Sequence, residues 1–369
     1  MQLTCQRGPL TAAFQMVGAA VPSRTTKDIL KNVKLEVGPQ GAILVGTDSE
    51  CSLRCQIPDI ETTARGVALL PTARVMQILR ELSDEIVKID VTADAIWIRS
   101  GFSEFRLSAE DPADYPPVAD FQDEDYFILP KNEFRQAIRR TIFATDPEST
   151  RYALGGVLIE LTPERATLAA TDSRRLAVMH IPAKAHGTAP AGGTQPIIPS
   201  KGMQLIEKSL GDSDEEIHLA VHANDVVVRS GTTVISTQLV QGRFPDYRKV
   251  IPSSHQTAID LPVGPFYSAV RQAQIVTNEE SRGVDFTFAD GTLRLSSQAT
   301  DIGQSKIELP ISYDGPELKI TFDPRYVADF LRVLDAAGQA QFRIIDQDSA
   351  AVLVSEDRYT YVIMPLSRD

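Results

Sequence analysis

The strongest constraint on the fold of this chain is an internal repeat. The matching segments are residues 70–72 (LPT) with 198–200 (IPS), 96–101 (IWIRSG) with 226–231 (VVVRSG), and 114–115 with 246–247 (both DY). Each pair lies about a third of the chain apart, which is the signature of a repeated domain. A chain of 369 residues also exceeds what one hydrophobic core usually covers. The sequence therefore predicts three copies of one domain, at residues 1–122, 127–251 and 254–369.

Hydrophobic periodicity alternates within each copy between spacings typical of strands and of helices. The predicted helices cover residues 9–20, 72–82, 131–144, 202–210, 262–276 and 324–337. Short alternating segments, such as 42–47 and 51–57, predict strands between them. Each copy is thus expected to have two helices and six to eight strands. The predicted class is α+β with antiparallel sheets.

Composition excludes several classes of protein. Hydrophobic residues make up 43% and charged residues 23%, as in ordinary globular proteins. No apolar run approaches the roughly 18 to 20 residues that a membrane span needs, and the first residues lack the basic start of a signal peptide. The three cysteines, Cys5, Cys51 and Cys55, are too few for a disulfide scaffold. We therefore expect a cytoplasmic protein with no membrane association.

The charges are distributed unevenly. The predicted helices, with Lys201 counted at the start of one, carry eleven basic and five acidic residues, a balance of about +6 in a chain of net charge −12. A shared basic helical face would suit contact with phosphates that does not depend on base sequence. The alternative is that surface helices simply favour Lys and Arg, whose charged ends are readily solvated.

Motifs for catalysis are missing from the sequence. It contains no phosphate-binding Gly-rich loop with Lys-Ser/Thr, no His-Glu-x-x-His and no Gly-x-Ser-x-Gly. Thr-Asp pairs recur with Asp48, Asp172 and Asp301. These carboxylates could serve a metal-dependent nuclease, but such repetition favours turns in which aspartate accepts hydrogen bonds from backbone amides. Cys51 and Cys55 are interpreted as buried strand residues, so no catalytic residue, metal site or cofactor is predicted.

Several strings, in order along the whole chain, resemble the bacterial DNA sliding clamp family, the beta subunit of the replicative DNA polymerase. They are Arg24 ahead of Ile29-Leu30, residues 151–154 (RYAL), 171–177 (TDSRRLA), 242–248 (GRFPDYR) and 361–365 (YVIMP). The resemblance implies a head-to-tail homodimeric ring that encircles double-stranded DNA, slides freely and performs no chemistry. Implied partners are the catalytic subunit of the polymerase, the clamp loader, other DNA polymerases and repair proteins.

The resemblance and the charge pattern together assign three groups of site residues. The DNA-binding candidates, Arg24 by family position and the others mainly by charge, are Arg24, Arg74, Arg80, Arg135, Arg139, Arg140, Lys201, Arg271, Arg325 and Arg332. The residues that match the family's partner-peptide groove are Arg151, Leu154, Thr171, Arg174, Arg175, Leu176, Pro245, Val250, Met364, Pro365 and Leu366. Those that match its dimer interface are Phe105, Ile275 and Val276. The chain departs from the family at Ala153, where a second tyrosine is common, and at Ser173-Arg174, where Gly-His is frequent.

Two other functions remain open at this point. A metal-dependent nuclease would use the repeated aspartates, whereas a repeat scaffold would bind only proteins. Both are compatible with three copies of one domain.

Overall fold

A computed structural model describes residues 1–39, 41–149, 153–188, 193–211, 215–278, 282–300, 302–355 and 358–366. The chain divides into two compact units. The first unit comprises Met1–Asn132 with Ala183–Leu239, and the second comprises Glu133–Pro182 with Val240–Asp369. The predicted middle domain therefore contributes chain to both units. No helix in the described residues is long and apolar enough to cross a membrane.

The six α-helices of the described residues lie where the periodicity predicts them. They are α1 (Arg7–Gly18), α2 (Thr72–Glu81), α3 (Lys131–Thr141), α4 (Ser200–Ser209), α5 (Val263–Ala273) and α6 (Pro324–Arg332). Short 3-10 segments cover Asp28–Lys31, Pro112–Asp114, Ile142–Ala144, Tyr247–Val250 and Gln274–Val276. Helix α6 ends at Arg332, before the predicted residue 337, and is followed by a turn in which Asp335 accepts a hydrogen bond from the amide of Ala337.

The described residues contain twenty-six strands, which pair antiparallel. The first nine are β1 (Gln2–Gln6), β2 (Asn32–Gly38), β3 (Gly41–Thr47), β4 (Cys51–Ile57), β5 (Glu61–Ala64), β6 (Gly66–Pro71), β7 (Ile86–Val91), β8 (Ala95–Ser100) and β9 (Ser103–Ser108). The next nine are β10 (Tyr126–Pro130), β11 (Gly156–Leu161), β12 (Arg165–Thr171), β13 (Arg175–Pro182), β14 (Lys184–His186), β15 (Ile197–Pro199), β16 (Glu216–Val221), β17 (Asp225–Ser230) and β18 (Thr233–Gln238). The last eight are β19 (Thr257–Pro262), β20 (Val284–Ala289), β21 (Thr292–Ala299), β22 (Gly303–Pro310), β23 (Leu318–Phe322), β24 (Gln339–Ile344), β25 (Ala351–Ser355) and β26 (Tyr359–Ile363).

The first two copies have nine strands each, one more than the largest number predicted. The additional strands include short polar ones such as β5, whose residues are all exposed. Strands of this kind carry no apolar alternation, so neighbouring strands decide their pairing.

The first unit contains two sheets. Five strands follow the order β5-β1-β7-β8-β9, and nine follow β14-β10-β16-β17-β18-β4-β3-β2-β6. The pairing of β18 with β4 joins the middle third of the chain to the first third, with Thr233 opposite Cys55 and Thr237 opposite Cys51. Both cysteines are buried, as the sequence predicts, and burial raises the pKa of each thiol.

The second unit repeats this arrangement. Its longer sheet contains β11-β12-β13-β26-β25-β24-β19 in that order, and its four-stranded sheet follows β22-β21-β20-β23. Here β13 pairs with β26, which joins the middle third to the last, with Arg175 opposite Ile363. The core beside α5 and α6 is rich in buried aromatic residues, including Phe266, Phe322 and Phe342.

His222, in the first unit, makes the stability of this unit sensitive to pH. Its Nε2 lies 2.7 Å from Asp123 and its Nδ1 2.8 Å from Asp225. The hydrogen bond with Asp123 is the largest of the effects that raise its pKa above the usual 6.5. Because the pKa of His222 is higher in the folded than in the unfolded chain, its protonated form stabilises the fold. This contribution is complete below pH 6.5 and is lost as pH rises through the pKa of the folded state.

We therefore expect wild type and His222→Gln to differ most in free energy of unfolding below pH 6.5. The difference should shrink by about 0.5 kcal/mol by pH 8, since the side chains are partly solvated. Urea unfolding at several pH values measures it, with His255→Gln, at an exposed position, as the control. A difference that grows with pH would contradict the assignment.

Candidate functional site

A tight turn between β12 and β13 forms the centre of the candidate site. The hydroxyl of Thr171 donates to the carbonyl of Arg175 at 2.6 Å and accepts from the amide of Ser173 at 3.1 Å. The amides of Arg174 and Arg175 both donate to Oδ1 of Asp172 at 3.0 Å. Ser173 has a φ of 72°, in the left-handed region that such a turn requires. The carboxylate of Asp172 therefore holds the turn together.

The same turn occurs in the first repeat, between β3 and β4. Oδ1 of Asp48 accepts from the amides of Glu50 at 2.9 Å and Cys51 at 2.7 Å, and Ser49 has a φ of 81°. The prediction that these aspartates bond backbone amides is confirmed for both turns. The third, Asp301, lies outside the described residues. In the described part of the chain, no group of three or more His, Cys, Asp or Glu could hold a metal ion.

Arg175 distinguishes the middle turn from the first, where the corresponding residue is Cys51. Its guanidinium donates to Asp172 at 2.9 Å, to Asp329 on α6 at 2.7 Å and to the carbonyl of Phe143 at 2.7 Å. It also lies over the ring of Tyr326, 4.5 Å from the centroid. Burial alone would lower the pKa of Arg175, but Tyr361, Asp329 and Asp172 raise it, so the group stays charged. The arginine thereby ties the turn to α6.

An apolar pocket of about 240 Å³ lies beside this turn. It is lined by Thr171, Ser173, Arg174, Arg175, Leu176, Pro245, Asp246, Tyr247, Val250, Val362 and Met364. Leu176 is only 2% exposed and belongs to the floor, whereas Val250 and Met364 are 55% and 46% exposed. A buried floor below accessible apolar side chains is suited to binding one or two apolar side chains of another molecule.

Two contacts hold the walls of this pocket. The amide of Met364 donates to the carbonyl of Arg174 at 2.9 Å, which fixes the end of the chain against the turn. On the opposite side, the hydroxyl of Tyr247 donates to Glu160 on β11 at 2.7 Å. Tyr247 and Val362 are lining residues that were not assigned to the groove from the sequence. Tyr247 lies within the 242–248 string and Val362 within the 361–365 string, so both signals were present.

Seven of the residues assigned to the groove come together in this pocket, and three other described ones do not line it. Pro365 and Leu366 line a neighbouring, more polar cavity of about 1270 Å³. Leu154 is buried, at 3% exposure, and lines neither cavity. Arg151 lies outside the described residues. Arg174 and Met364 line both cavities, which are therefore adjacent.

The basic residues assigned to DNA are exposed, with two exceptions. Those at the surface are Arg24, Arg74, Arg80, Arg139, Lys201, Arg271, Arg325 and Arg332, and Arg135 is half-buried. Arg140 is only 2% exposed, so its assignment to DNA is wrong. Its guanidinium lies over the ring of Tyr359, 5.3 Å from the centroid, on the helix face that also buries Phe134 and Ala137. A count of charges along a helix cannot show that one arginine points into the core.

Acidic partners reduce the positive charge of some of these residues. Lys201 pairs with Asp48, Arg325 pairs with Asp323 at 2.7 Å, and Arg332 lies 3.1 Å from Asp329. In the first two pairs the carboxylate is buried and the cation is exposed, so each cation is held beside a fixed negative charge. The basic helical surface is therefore weaker than the sequence count indicates.

The residues assigned to the dimer interface lie at a sheet edge and at the end of a helix. Phe105 is half-buried on β9, the last strand of its sheet. Ile275 is 75% exposed and Val276 half-buried, in the short 3-10 segment after α5. An edge strand and an exposed isoleucine are features that a partner surface commonly covers.

These features define a repeat-built protein with a binding pocket, exposed basic helices and two edges suited to association.

Comparisons with known proteins identify its family. Models of the DNA polymerase III beta subunit match along the chain, the N-terminal domain at residues 1–119, the central domain at 128–246 and the C-terminal domain at 248–367. The beta sliding clamp of Escherichia coli (strain K12) is 29% identical over 375 residues, which cover 99% of this chain and 100% of that relative. That of Haemophilus influenzae is 28% identical over 369 residues, 99% of this chain and 100% of the relative.

Solved structures agree with the family models. The DNA polymerase sliding clamp of Bacillus subtilis has a TM-score of 0.92 at 25% identity, and the DNA polymerase III subunit beta of Pseudomonas aeruginosa has 0.91 at 28%, each over 100% of both chains. The chain belongs to the family of bacterial beta sliding clamps. It has the three-domain clamp fold and is a processivity factor of DNA replication, a non-catalytic subunit that works with DNA and a polymerase. Nothing supports a nuclease.

Proposed function

We propose that the pocket lined by Leu176, Val250 and Met364 binds apolar peptide segments of the proteins that the clamp holds on DNA. Those partners are the catalytic subunit of the replicative polymerase, the clamp loader, other DNA polymerases and repair proteins, in the cytoplasm. The observation that supports this is the pocket itself, an accessible apolar cavity of about 240 Å³ with a buried floor. A flexible methionine at its rim suits several different partners.

We further propose that two chains, each divided at residues 1–122, 127–251 and 254–369, close head to tail into a ring around duplex DNA. The edge strand β9 with Phe105 would contact the region of Ile275 and Val276 on the other chain. The test is retention on circular DNA compared with the same DNA made linear. A ring should stay on the circle and slide off the ends, whereas equal loss from both forms would exclude a ring.

The exposed isoleucine allows a direct test of the dimer. Ile275→Glu with Val276→Glu should yield folded monomers, because charges at an apolar contact must lose their hydration when the interface forms. Analytical ultracentrifugation gives the mass, and circular dichroism verifies that the chain is folded. The matched control is Val67→Glu, an exposed apolar residue at 46% exposure on β6, in a different sheet. Dimers of unchanged stability in the double variant would contradict this interface.

Substitution of two adjacent arginines, Arg139 and Arg140, distinguishes a DNA contact from a core residue. Arg139→Ala should leave the melting temperature unchanged and reduce the salt dependence of DNA retention, by a slope of about one per chain, because one phosphate contact is lost. Arg140→Ala should instead lower the free energy of unfolding by about 2 kcal/mol or more, because it removes a buried side chain. Retention on nicked circular DNA at several salt concentrations, together with urea unfolding, measures both. Equal effects of the two substitutions on DNA would refute the assignment of Arg139.

A further inference from the structure

The larger cavity beside the apolar pocket lies on the outer face of the four-stranded sheet β22-β21-β20-β23. We call it the polar basin, and its volume is about 1270 Å³. Its floor is formed by side chains of one sheet face, among them Asp285, Ser296 and Lys306, which are opposite each other in register. The chain end forms one wall, since the amide of Leu366 donates to the carbonyl of Thr321 on β23 at 2.8 Å.

The polar basin lies next to the apolar pocket. Arg174 and Met364 line both cavities. A peptide whose apolar side chains occupy the pocket can therefore reach the polar basin if it extends past Met364. The basin offers this continuation hydrogen-bonding groups from Ser296, Gln298 and Gln304 and little apolar surface.

The charge of the basin is opposite to that of the whole chain. Its lining includes the basic residues Arg174, Arg282, Arg294 and Lys306 and the acidic residues Asp285 and Asp323. The acidic residues are already engaged, because Asp323 is buried and paired with Arg325, and Asp285 pairs with Lys319. The net charge of the chain is −12, so a positive surface of this size is unusual for this protein.

Two exposed cations of the basin share one carboxylate. Nε of Arg294 and Nζ of Lys306 lie 3.1 Å and 3.0 Å from Oε1 of Glu308. Their side chains are 46% and 61% exposed, respectively. One carboxylate cannot neutralise two cations, and the excess positive charge faces the basin. Acidic side chains of a bound peptide would complete this neutralisation.

We propose that the polar basin binds acidic residues that flank the apolar anchor segment of partner proteins. This inference rests on the proposed function, because it assumes that the anchor occupies the apolar pocket. A peptide fits better than nucleic acid, because the basin shares Arg174 and Met364 with an apolar pocket that suits apolar side chains and offers nothing to a phosphate backbone. The basin would therefore select among partners by the charge beside their anchor, through electrostatic complementarity.

The test uses the full chain and fluorescein-labelled peptides with a leucine and a phenylalanine as anchors. One peptide carries only the anchor segment, and the others extend it at either end by four glutamates or four glutamines. We expect a glutamate extension at one end to tighten binding about tenfold over glutamine, less so at high salt. Fluorescence anisotropy measures each dissociation constant, and poly(dT) serves as the competing nucleic acid.

Two lysines provide a matched pair of variants. Lys306 and Lys249 are both exposed and both lie 3.0 Å from a carboxylate, but only Lys306 lines the basin. Lys249 is close to the apolar pocket, since its partner Asp246 lines that pocket. Lys306→Gln should remove most of the advantage of glutamate over glutamine, whereas Lys249→Gln should leave it unchanged.

The outcomes separate this inference from the proposed function. If the anchor peptide binds but glutamate and glutamine extensions bind equally, the basin proposal fails and the pocket stands. If Lys306→Gln and Lys249→Gln reduce the preference for glutamate over glutamine equally, the acidic peptide is attracted by general surface charge and not by the basin. If poly(dT) displaces the glutamate-extended peptide more strongly than the glutamine-extended one, and this difference is lost in Lys306→Gln, the basin binds nucleic acid instead. If the anchor peptide itself does not bind, the proposed function fails, and this inference with it.

Discussion

Replacing Leu176 by lysine is expected to weaken the binding of partner peptides by at least about 100-fold, because the change puts a charge into the floor of the apolar pocket. Leu176 is 2% exposed, so the ammonium group would have to occupy the pocket that the peptide needs. The residues proposed for the dimer interface and for DNA are different ones, so a folded variant should keep its retention on circular DNA. Peptide anisotropy and DNA retention, measured on the same preparation, test the two expectations together.

A second variant protects this prediction against loss of folding. Met364→Lys changes a rim residue that is 46% exposed and can hold a charge in solvent, so the fold should persist while peptide binding falls about tenfold or more. Val67→Lys, at the same exposure of 46% on β6, is the matched control. Unchanged peptide affinity in a folded Met364→Lys chain would show that the pocket is not the binding site.

Replacing Arg175 by alanine is expected to destabilise the second unit strongly. The substitution leaves the half-buried Asp172 and Asp329 without their shared cation and removes the hydrogen bond to the carbonyl of Phe143. Breaking a buried ion pair by removing one partner costs about 3–5 kcal/mol. Urea unfolding measures the loss, and peptide binding should weaken in parallel because the turn at Ser173 loses its support.

The neighbouring arginine provides the control for this substitution. Arg174 is exposed and should cost less than about 1 kcal/mol when changed to alanine, although it lines both cavities. The double variant Arg175→Ala with Asp329→Ala should recover part of the lost stability, because it removes an unpaired carboxylate together with the arginine. If Arg174→Ala proves the more damaging, Arg175 is not the residue that ties the turn to α6.

Local patterns predicted local structure well. Periodicity located all six helices, because an amphipathic helix shows its buried face directly in the sequence. The Thr-Asp pairs correctly indicated turns, since the threonine and aspartate bond atoms within four residues of themselves. Interactions of such short range depend little on the rest of the fold.

Contacts between distant segments were harder to predict. Arg140 looked like a surface charge until the fold placed it over Tyr359, more than two hundred residues further along the chain. Helix α6 ended at Arg332 and not at residue 337, and periodicity does not register the Asp335 turn that follows it. The polar basin had no sequence signal, since its cations come from a turn, a loop and two different strands.

The repeated Thr-Asp turn shows which features follow from local sequence and which depend on the tertiary fold. The sequence by itself determined the turns at Asp48 and Asp172, because their hydrogen bonds are made within five consecutive residues. It placed Leu176, Val250 and Met364 in one groove only through the family resemblance, and only the tertiary structure decided that they form a pocket with a buried floor, because they come from three separate parts of the chain. Burial and accessibility are properties of surfaces that several segments build together, so no single segment carries them.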